Sequence, residues 1–489
     1  MKIGKLLRAK MGTSSYEKVQ SEERANNQKA LQTINQIKEH VKHMSDVVLK
    51  DIATVEGIVT IIHCSSLVEN MTMQNMIFTP LANHLNQIHQ DAEVIDSTDT
   101  EKIVSNIVVG HTLLYFHRKN LLLSMDTFSV STRAISTSEV ESTVMGPQDS
   151  FTESLQTNIS LIKRRIQNPK LKNEDRIIGT ETNTKMSILY MEHIVNQENL
   201  EKVKSRIDKL DYPGYPDISI LKQLIEDNPL SPFPQFYMTV KPDTAMHYLL
   251  DGRIVILMDN SQEVVICPTS FFEMFVSIED YYNRWTTTSL LRMLRFGGFF
   301  LTIMMTPMYI STLTFHPEIL PYELLVNLQE SRSKVPFSPL LEVLFIELII
   351  EVLREAGSRM PAKVGQTIGI VGGIVIGTAA VEAGLVSNIL VVLVAISALL
   401  SFLSPTFVMS NTSRFIRYIF ILSAGLFGLF GQMLAFAWLI SHLLIINSLD
   451  TPFMTPIIPR KASDLLNSLI RFPTSYLKEK MGISRAQKK

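Results

Sequence analysis

Two stretches of this chain carry almost no charge over lengths that decide its environment. From Val364 to Ser413 the only charged side chain is Glu382, and from Tyr418 to Leu449 the only group that titrates near neutrality is His442. About 20 apolar helical residues cross a hydrocarbon layer about 30 Å thick, so both stretches are membrane lengths. Phe296 to Phe315 is a third run without a charge. Only 19 % of all 489 residues are charged, 46 Lys and Arg against 47 Asp and Glu, below the roughly one quarter usual in globular chains. The deficit sits in the C-terminal part, so the near-zero net charge averages two unlike regions.

Charge around these runs sets an orientation. Arg284, Arg292 and Arg295 precede Phe296 to Phe315, and His316, Glu318 and Glu323 follow it, so the positive-inside bias places its N-terminal side in the cytoplasm. Further spans are Gly365 to Val381 and Gly384 to Phe402, joined by a short turn. Tyr418 to Leu449 is either one long tilted helix or two short ones broken near Gly425, Gly428 and Gly431. Both chain ends are basic: Lys2, Lys5, Arg8 and Lys10 at the start, and eight basic residues against Asp464 and Glu479 after Thr451. Both are expected on the cytoplasmic side, attracted to an anionic leaflet, which requires an even number of spans. Either Leu340 to Leu353 lies at the interface, or it spans and the last run is a hairpin. No secretory signal is expected, since the basic start runs into polar sequence.

The fold class that follows is an α/β N-terminal region of two subdomains and a helical multi-span membrane domain. Expected boundaries are 1–44 for a basic helical segment, 45–135 and 136–290 for two cytoplasmic α/β subdomains, 291–450 for four to six spans, and 451–489 for a basic tail. Leu31, Ile34, Val41, Met44 and Val48 form a helical stripe. Val55 to Ile62 reads as a strand, and Ile107 to Phe116 with Leu121 to Met125 reads as a hairpin across His117-Arg118-Lys119-Asn120. In the second subdomain, Phe151 to Ile166 is a helix with Lys163, Arg164 and Arg165 near its end, where cations suit the dipole. Met186 to Tyr190, Arg253 to Met258 and Val264 to Cys267 are strands, the last two turning through Asp259-Asn260-Ser261. Pro229 to Pro234 is a rigid extended linker.

The most specific physical signal is Gly365, Gly369, Gly373 and Gly377, a small residue every four on one helix face. Such faces let backbones approach closely in lipid, either a neighbouring span or a second copy. Glu382 closes that helix, at an interfacial turn or, with Thr378 one turn earlier, as oxygen ligands along a cation path. Glu347, Glu351 and Glu355 are either acids of an interfacial helix held in water or an acidic vestibule. Catalytic motifs are absent: no P-loop, His-Glu-x-x-His, Cys-x-x-Cys or Gly-x-Ser-x-Gly. A non-enzymatic protein without cofactor or metal is expected. Cys64 and Cys267 offer no disulfide framework, His40 and His43 read as solvated, and the basic ends lack the interleaved aromatics of a nucleic-acid binder.

Several ordered segments carry a resemblance. Gly146-Pro147-Gln148-Asp149-Ser150-Phe151-Thr152-Glu153, then Asn158 to Lys163-Arg164-Arg165-Ile166, resembles the signature of the GerA-type spore germinant receptor A subunits. Ser231-Pro232-Phe233-Pro234-Gln235, Lys241-Pro242-Asp243, Asp251-Gly252-Arg253 and Glu279-Asp280-Tyr281-Tyr282 continue it. So do His316-Pro317-Glu318, Glu351 to Gly357, and Gly365 through Ser387. The sequence departs at Gln148, Thr239-Val240-Lys241 and Gln262. The resemblance implies nutrient sensing by dormant spores, in the spore inner membrane, beside a permease-like B subunit and a lipoprotein C subunit. It also implies an oligomer that releases monovalent cations. A secondary transporter with broken helices near Gly425 to Gly431, and a non-conducting scaffold, are the competing readings.

Overall fold

The computed structural model describes residues 34–54, 57–83, 88, 92–97, 99–129, 141, 143–359, 372–373, 377–458 and 468–473. The N-terminal half builds two sheets. The first contains β1 (Val47–Thr54), β2 (Gly57–Cys64), β3 (Glu93–Ile95), β4 (His111–Phe116) and β5 (Leu121–Asp126), in the order β1-β2-β4-β5-β3. The second contains β6 (Leu171–Ile178), β7 (Thr184–Met191), β8 (Tyr237–Thr239), β9 (Ile254–Met258) and β10 (Val264–Cys267), in the order β6-β7-β9-β10-β8. Every strand pair in both is antiparallel.

The two orders are the same topology, and the helices repeat with them. Helical residues 34–40 precede the first sheet and α1 (Thr100–Val109) precedes β4. Correspondingly, α2 (Leu155–Arg165) precedes β6, α3 (Gln197–Asp208) and α4 (Ile218–Ile225) follow β7, and α5 (Pro242–Leu250) precedes β9. A left-handed glycine stands between helix and strand in each module, Gly110 and Gly252, and a left-handed asparagine turns each hairpin, Asn120 and Asn260. The N-terminal region is thus one module built twice.

Differences from expectation have local causes. Val48 lies in β1 rather than on a helical stripe: the helix ends near His40 and Met44 bridges to Asn173 of β6. Leu31 lies outside the described residues. Ile107 and Val108 end α1, because Asp99 caps its start and Gly110 its end, so only His111 onward is strand. β6 carries Lys172, Asn173, Glu174, Asp175 and Arg176, a composition that hides a strand. Lys172, Asn173 and Glu174 are nevertheless buried: residues 43–45 bond along the outer edge of β6, and Glu174 accepts from Tyr190 and Lys204.

The modules are locked together by a buried ion pair. Lys163 Nζ of α2 lies 2.6 Å from Asp46 Oδ2, with both side chains 3 % exposed. Lys163 therefore does not sit in water serving the helix dipole, as its place in the last turn suggested. Burial alone would raise the Asp46 pKa, but the ammonium and hydrogen bonds from Cys64 and Ser66 hold it below its ordinary value.

After α6 (Glu279–Tyr282) the chain enters α7 (Trp285–Thr314), α8 (Tyr322–Ser331), α9 (Pro339–Arg359), α10 (Gly377–Glu382), α11 (Asn388–Ser401) and α12 (Phe407–Ile445). Two of these, α7 and α12, are long and apolar enough to cross a membrane; α11 is a shorter apolar helix. Contacts fix their courses. Glu342 early in α9 meets Tyr309 late in α7, and Glu347 further on meets Thr306, so these helices run antiparallel. Ser387 before α11 also meets Tyr309, and Ser397 bonds the Thr302 carbonyl, so α11 returns alongside α7.

α12 is a hairpin. Gly428 has φ 61° and ψ −141° inside it, and both arms return to one loop: Thr412 donates to the Pro232 carbonyl at 2.6 Å, while Ser231 Oγ lies 2.9 Å from His442 Nε2. A Cβ at Gly428 would press into the Phe315 ring at the end of α7, so both its backbone angles and its packing demand glycine. The break lies at the hairpin's apex, not at mid-depth. Helix starts at Phe407 rather than Tyr418, which brings Arg414 and Arg417 into the bundle.

Candidate functional site

The sequence motifs converge on one joint, where the second module meets α7. Gly146 sits at φ +100°, and a Cβ there would collide with the Tyr282 ring. The Tyr282 hydroxyl donates to Asp243 Oδ2 at 2.6 Å, in the first turn that Pro242 opens. The Pro147 carbonyl accepts from Lys241 Nζ at 3.3 Å. Asp149 takes the Arg165 guanidinium at 2.7 Å. Asn158, fully buried, closes the loop ahead of its own helix by bonding both backbone groups of Thr152. Glu153 accepts from Gln262 at 2.6 Å across the β9–β10 turn. The departures Lys241 and Gln262 thus hold direct bonds in this chain.

The proline segment is more than a linker. Phe233 is buried against Phe271 and 6.0 Å from the His442 ring, Pro234 is buried, and Gln235 bonds both backbone groups of Asn228. With Ser231 and Pro232 it seats the second module in the open end of the α12 hairpin. Phe271 also packs on Phe296, Phe299 and Phe453 with centroids 5.7 to 6.3 Å apart. Each such pair adds about 0.5–1.5 kcal/mol beyond area burial, making this seam stiff.

Asp280 is the charge centre of the joint. It is 1 % exposed, Arg292 Nε lies 2.9 Å from Oδ2, and Arg295 lies 2.9 Å from Oδ1. One carboxylate thus fixes the first turns of α7 to the module. The Tyr281 ring lies 4.2 Å from His247 and beneath Arg292 and Arg471. Loss of water, and then the cations Arg253, Arg292 and Arg471, push the His247 pKa down to about 4. The unfolded chain binds a proton near pH 6.5 that the folded one refuses. Stability should therefore fall as pH drops from about 6.5 towards 4. The melting temperature of the solubilised chain should decline through that window, and His247→Phe should flatten the decline; an unchanged slope contradicts the assignment.

Within the helices lies a second polar layer. Glu347 is 1 % exposed, 2.9 Å from Arg417 and 3.2 Å from the Thr306 hydroxyl, and Arg417 also donates to Ser397. Glu351 lies 2.7 Å from Arg414 and 3.7 Å from Arg354. Glu347 is thus buried and neutralised by an arginine 70 residues later, whereas Glu351, also paired with a distant arginine, keeps its side chain 38 % exposed. Glu355 is the most outward acid of that stripe, its side chain 62 % exposed and paired with Arg359. Glu342, fully buried, accepts from Arg332 at 3.0 Å and from the Ser387 amide at 2.7 Å.

Glu382 is different. It is exposed, and with Gly373, Gly377, Thr378, Val381, Asn388 and Val391 it lines a groove of about 440 Å³. No described atom comes within 4 Å of a Cβ built at Gly373, and at Gly377 only Val391 reaches 3.9 Å. Gly365 and Gly369 lie outside the described residues. Sequence reasoning did not single out Glu342, Arg332, Asp280, Arg292, Lys163 with Asp46, or Arg253 with Glu273 (2.7 Å) as paired. Partners so far apart leave no spacing signal; only charge inside apolar runs points to them.

Paired sheet modules stapled by a charge-locked turn to a bundle holding two membrane-length helices define a membrane-associated, motif-rich class of protein. The chain belongs to the Bacillus/Clostridium GerA spore germination protein family, whose profile matches residues 35–483. It is 38 % identical over 472 residues to spore germination protein GerQA of Bacillus cereus, covering 95 % of this chain and 94 % of that one. To spore germination protein KA of Bacillus subtilis it is 34 % identical over 455 residues, covering 90 % and 84 %. To spore germination protein A1 of the same species it is 37 % identical over 394 residues, covering 80 % and 81 %. A crystal structure of the N-terminal domain of the A subunit of the Bacillus megaterium spore germinant receptor GerK3 aligns at 27 % identity. It covers 49 % of this chain and 94 % of that one, with a TM-score of 0.34.

Proposed function

We propose that this chain is the A subunit of a nutrient-sensing spore germinant receptor and that copies of it assemble around the glycine face to conduct monovalent cations. The observation that carries the pore assignment is the contrast between acids: Glu342 and Glu347 are buried and paired inside the bundle, while Glu382 is exposed beside Thr378 on a groove where a Cβ built at Gly373 meets no described atom within 4 Å. Close-packing glycines suit a second copy, and a ring of carboxylates suits cations. Six crossings are favoured because α9 and α11 each run antiparallel to α7 and α12 folds into two arms, with the span expected from the sequence over Gly365 to Val381, mostly outside the described residues, as the remaining pass. That count leaves the sheet modules and the C-terminal segment on one side, the cytoplasmic face of the spore inner membrane. A permease-like B subunit and a lipoprotein C subunit are the expected partners.

The turn at Gly428, with both arms returning to one loop, favours a hairpin over the broken mid-depth helix of the transporter reading. The test is potassium release from spores given a mixture of amino acids and glucose. Gly373→Leu should abolish both assembly and release, and Glu382→Gln should slow release with assembly intact. Normal release in both variants would overturn the pore assignment and leave the scaffold reading.

A further inference from the structure

The joint contains a participant that belongs to neither the modules nor the bundle. Residues 468–473 return to the start of α7, and Arg471, 6 % exposed, is inserted beneath the α6 turn. Its guanidinium donates to the carbonyl oxygens of Asp280, of Asn283 at 2.8 Å and of Tyr281 at 3.3 Å. These are carbonyls at the end of a short helix, which lack intrahelical donors. A planar guanidinium with five N–H groups can serve several at once. The Arg471 backbone is held too: its amide donates to Ser289 Oγ at 3.1 Å, and that oxygen lies 2.9 Å from its carbonyl. Arg292 reaches the Ser468 carbonyl at 3.5 Å, and Arg471 lies 5.3 Å from the centre of the Tyr281 ring.

We infer that this C-terminal segment is a clasp. It ties the exit of the α12 hairpin to the start of α7 and to the second module, so that the three move as one body, and Arg471 is its positioning residue. The basic tail, expected from the sequence to be drawn to an anionic leaflet, is therefore partly a built element; Phe453, packed on Phe271, is its other anchor. Two opposed segments of the bundle, first helix and last, then share one turn, Glu279 to Asn283. A displacement of the module reaches both together only while the clasp is closed.

The regulatory side of this inference rests on the receptor reading above, and the test separates the two. Hydrogen exchange is measured on the full chain in detergent, wild type against Arg471→Ala, with Ser289→Ala as a milder variant. Amide exchange at Tyr281 to Arg292 should rise at least tenfold in Arg471→Ala and less in Ser289→Ala, with β9 and β10 unchanged. Unchanged exchange at the joint overturns the clasp. In spores, Arg471→Ala at wild-type membrane abundance should shift the amino-acid concentration for half-maximal potassium release at least fivefold, while Arg471→Lys, which keeps the charge but not the fork, should stay near the alanine value. Raised exchange with an unshifted dose response overturns the regulatory role. If spores lacking this chain altogether release potassium normally, the receptor reading fails while the exchange result still decides the clasp.

Discussion

Asp280→Ala is expected to destabilise the chain by about 3–5 kcal/mol, the range for removing one partner of a buried ion pair. The substitution strands two guanidiniums, Arg292 at 1 % exposure and Arg295 at 13 %. It also frees the Ser277 amide, which donates to the same carboxylate at 3.2 Å. Asp280→Asn should lose less, because the amide oxygen still accepts one hydrogen bond. Removing an exposed acid of similar appearance should do nothing measurable: Glu93, paired with Lys102 at 2.9 Å, has its side chain 61 % exposed, where screening by water leaves ion pairs with little net value. Thermal unfolding of the solubilised full chain, comparing Asp280→Ala with Glu93→Ala, checks both. Equal melting temperatures for the two variants would show that Asp280 does not hold the joint.

Glu347→Ala should be comparably damaging. It leaves Arg417, 1 % exposed, inside the helix bundle, with the Ser397 hydroxyl at 2.8 Å as its remaining side-chain partner among the described residues. The double variant Glu347→Leu/Arg417→Met should recover most of the loss, since replacing a whole buried pair with apolar residues is often neutral or stabilising. The coupling energy from the cycle should reach about 2–3 kcal/mol, the upper part of the range for residues in one network. A cycle that closes near zero would mean that the two groups do not depend on each other. The same pairing explains how α9 carries acids into an apolar helix bundle: Glu347 and Glu342 each meet an arginine of the same chain, Arg417 and Arg332, as buried charges require.

How much of this was legible in the sequence follows from the range of the interactions. Charge-free runs located α7, α11 and most of α12, because a run without charge is a property of a continuous segment. Strands β7, β9 and β10 were readable from β-branched runs and turn residues. β6 was not, since it holds five consecutive polar residues, of which Lys172, Asn173 and Glu174 are buried by partners distant in the chain. The repeated module was invisible because topology survives where residue identity does not; only Gly110 with Gly252 and Asn120 with Asn260, fixed by backbone angles, mark it. The family motifs named the right residues without their purpose. Gly146 and Tyr282 stand 136 positions apart, and only the fold places the glycine under the ring. Glu347 and Glu351 pointed outward on periodicity alone because their partners, Arg417 and Arg414, lie beyond two intervening helices.

The central proposal is that copies of this chain conduct monovalent cations around the glycine face. The most direct measurement is potassium flux from liposomes reconstituted with the purified receptor, this chain together with its permease-like and lipoprotein partners, on addition of a defined amino-acid mixture. The expected result is nutrient-triggered potassium release that disappears when this chain carries Gly373→Leu. Release of the same size from vesicles lacking this chain, or from vesicles holding the Gly373→Leu form, would contradict it.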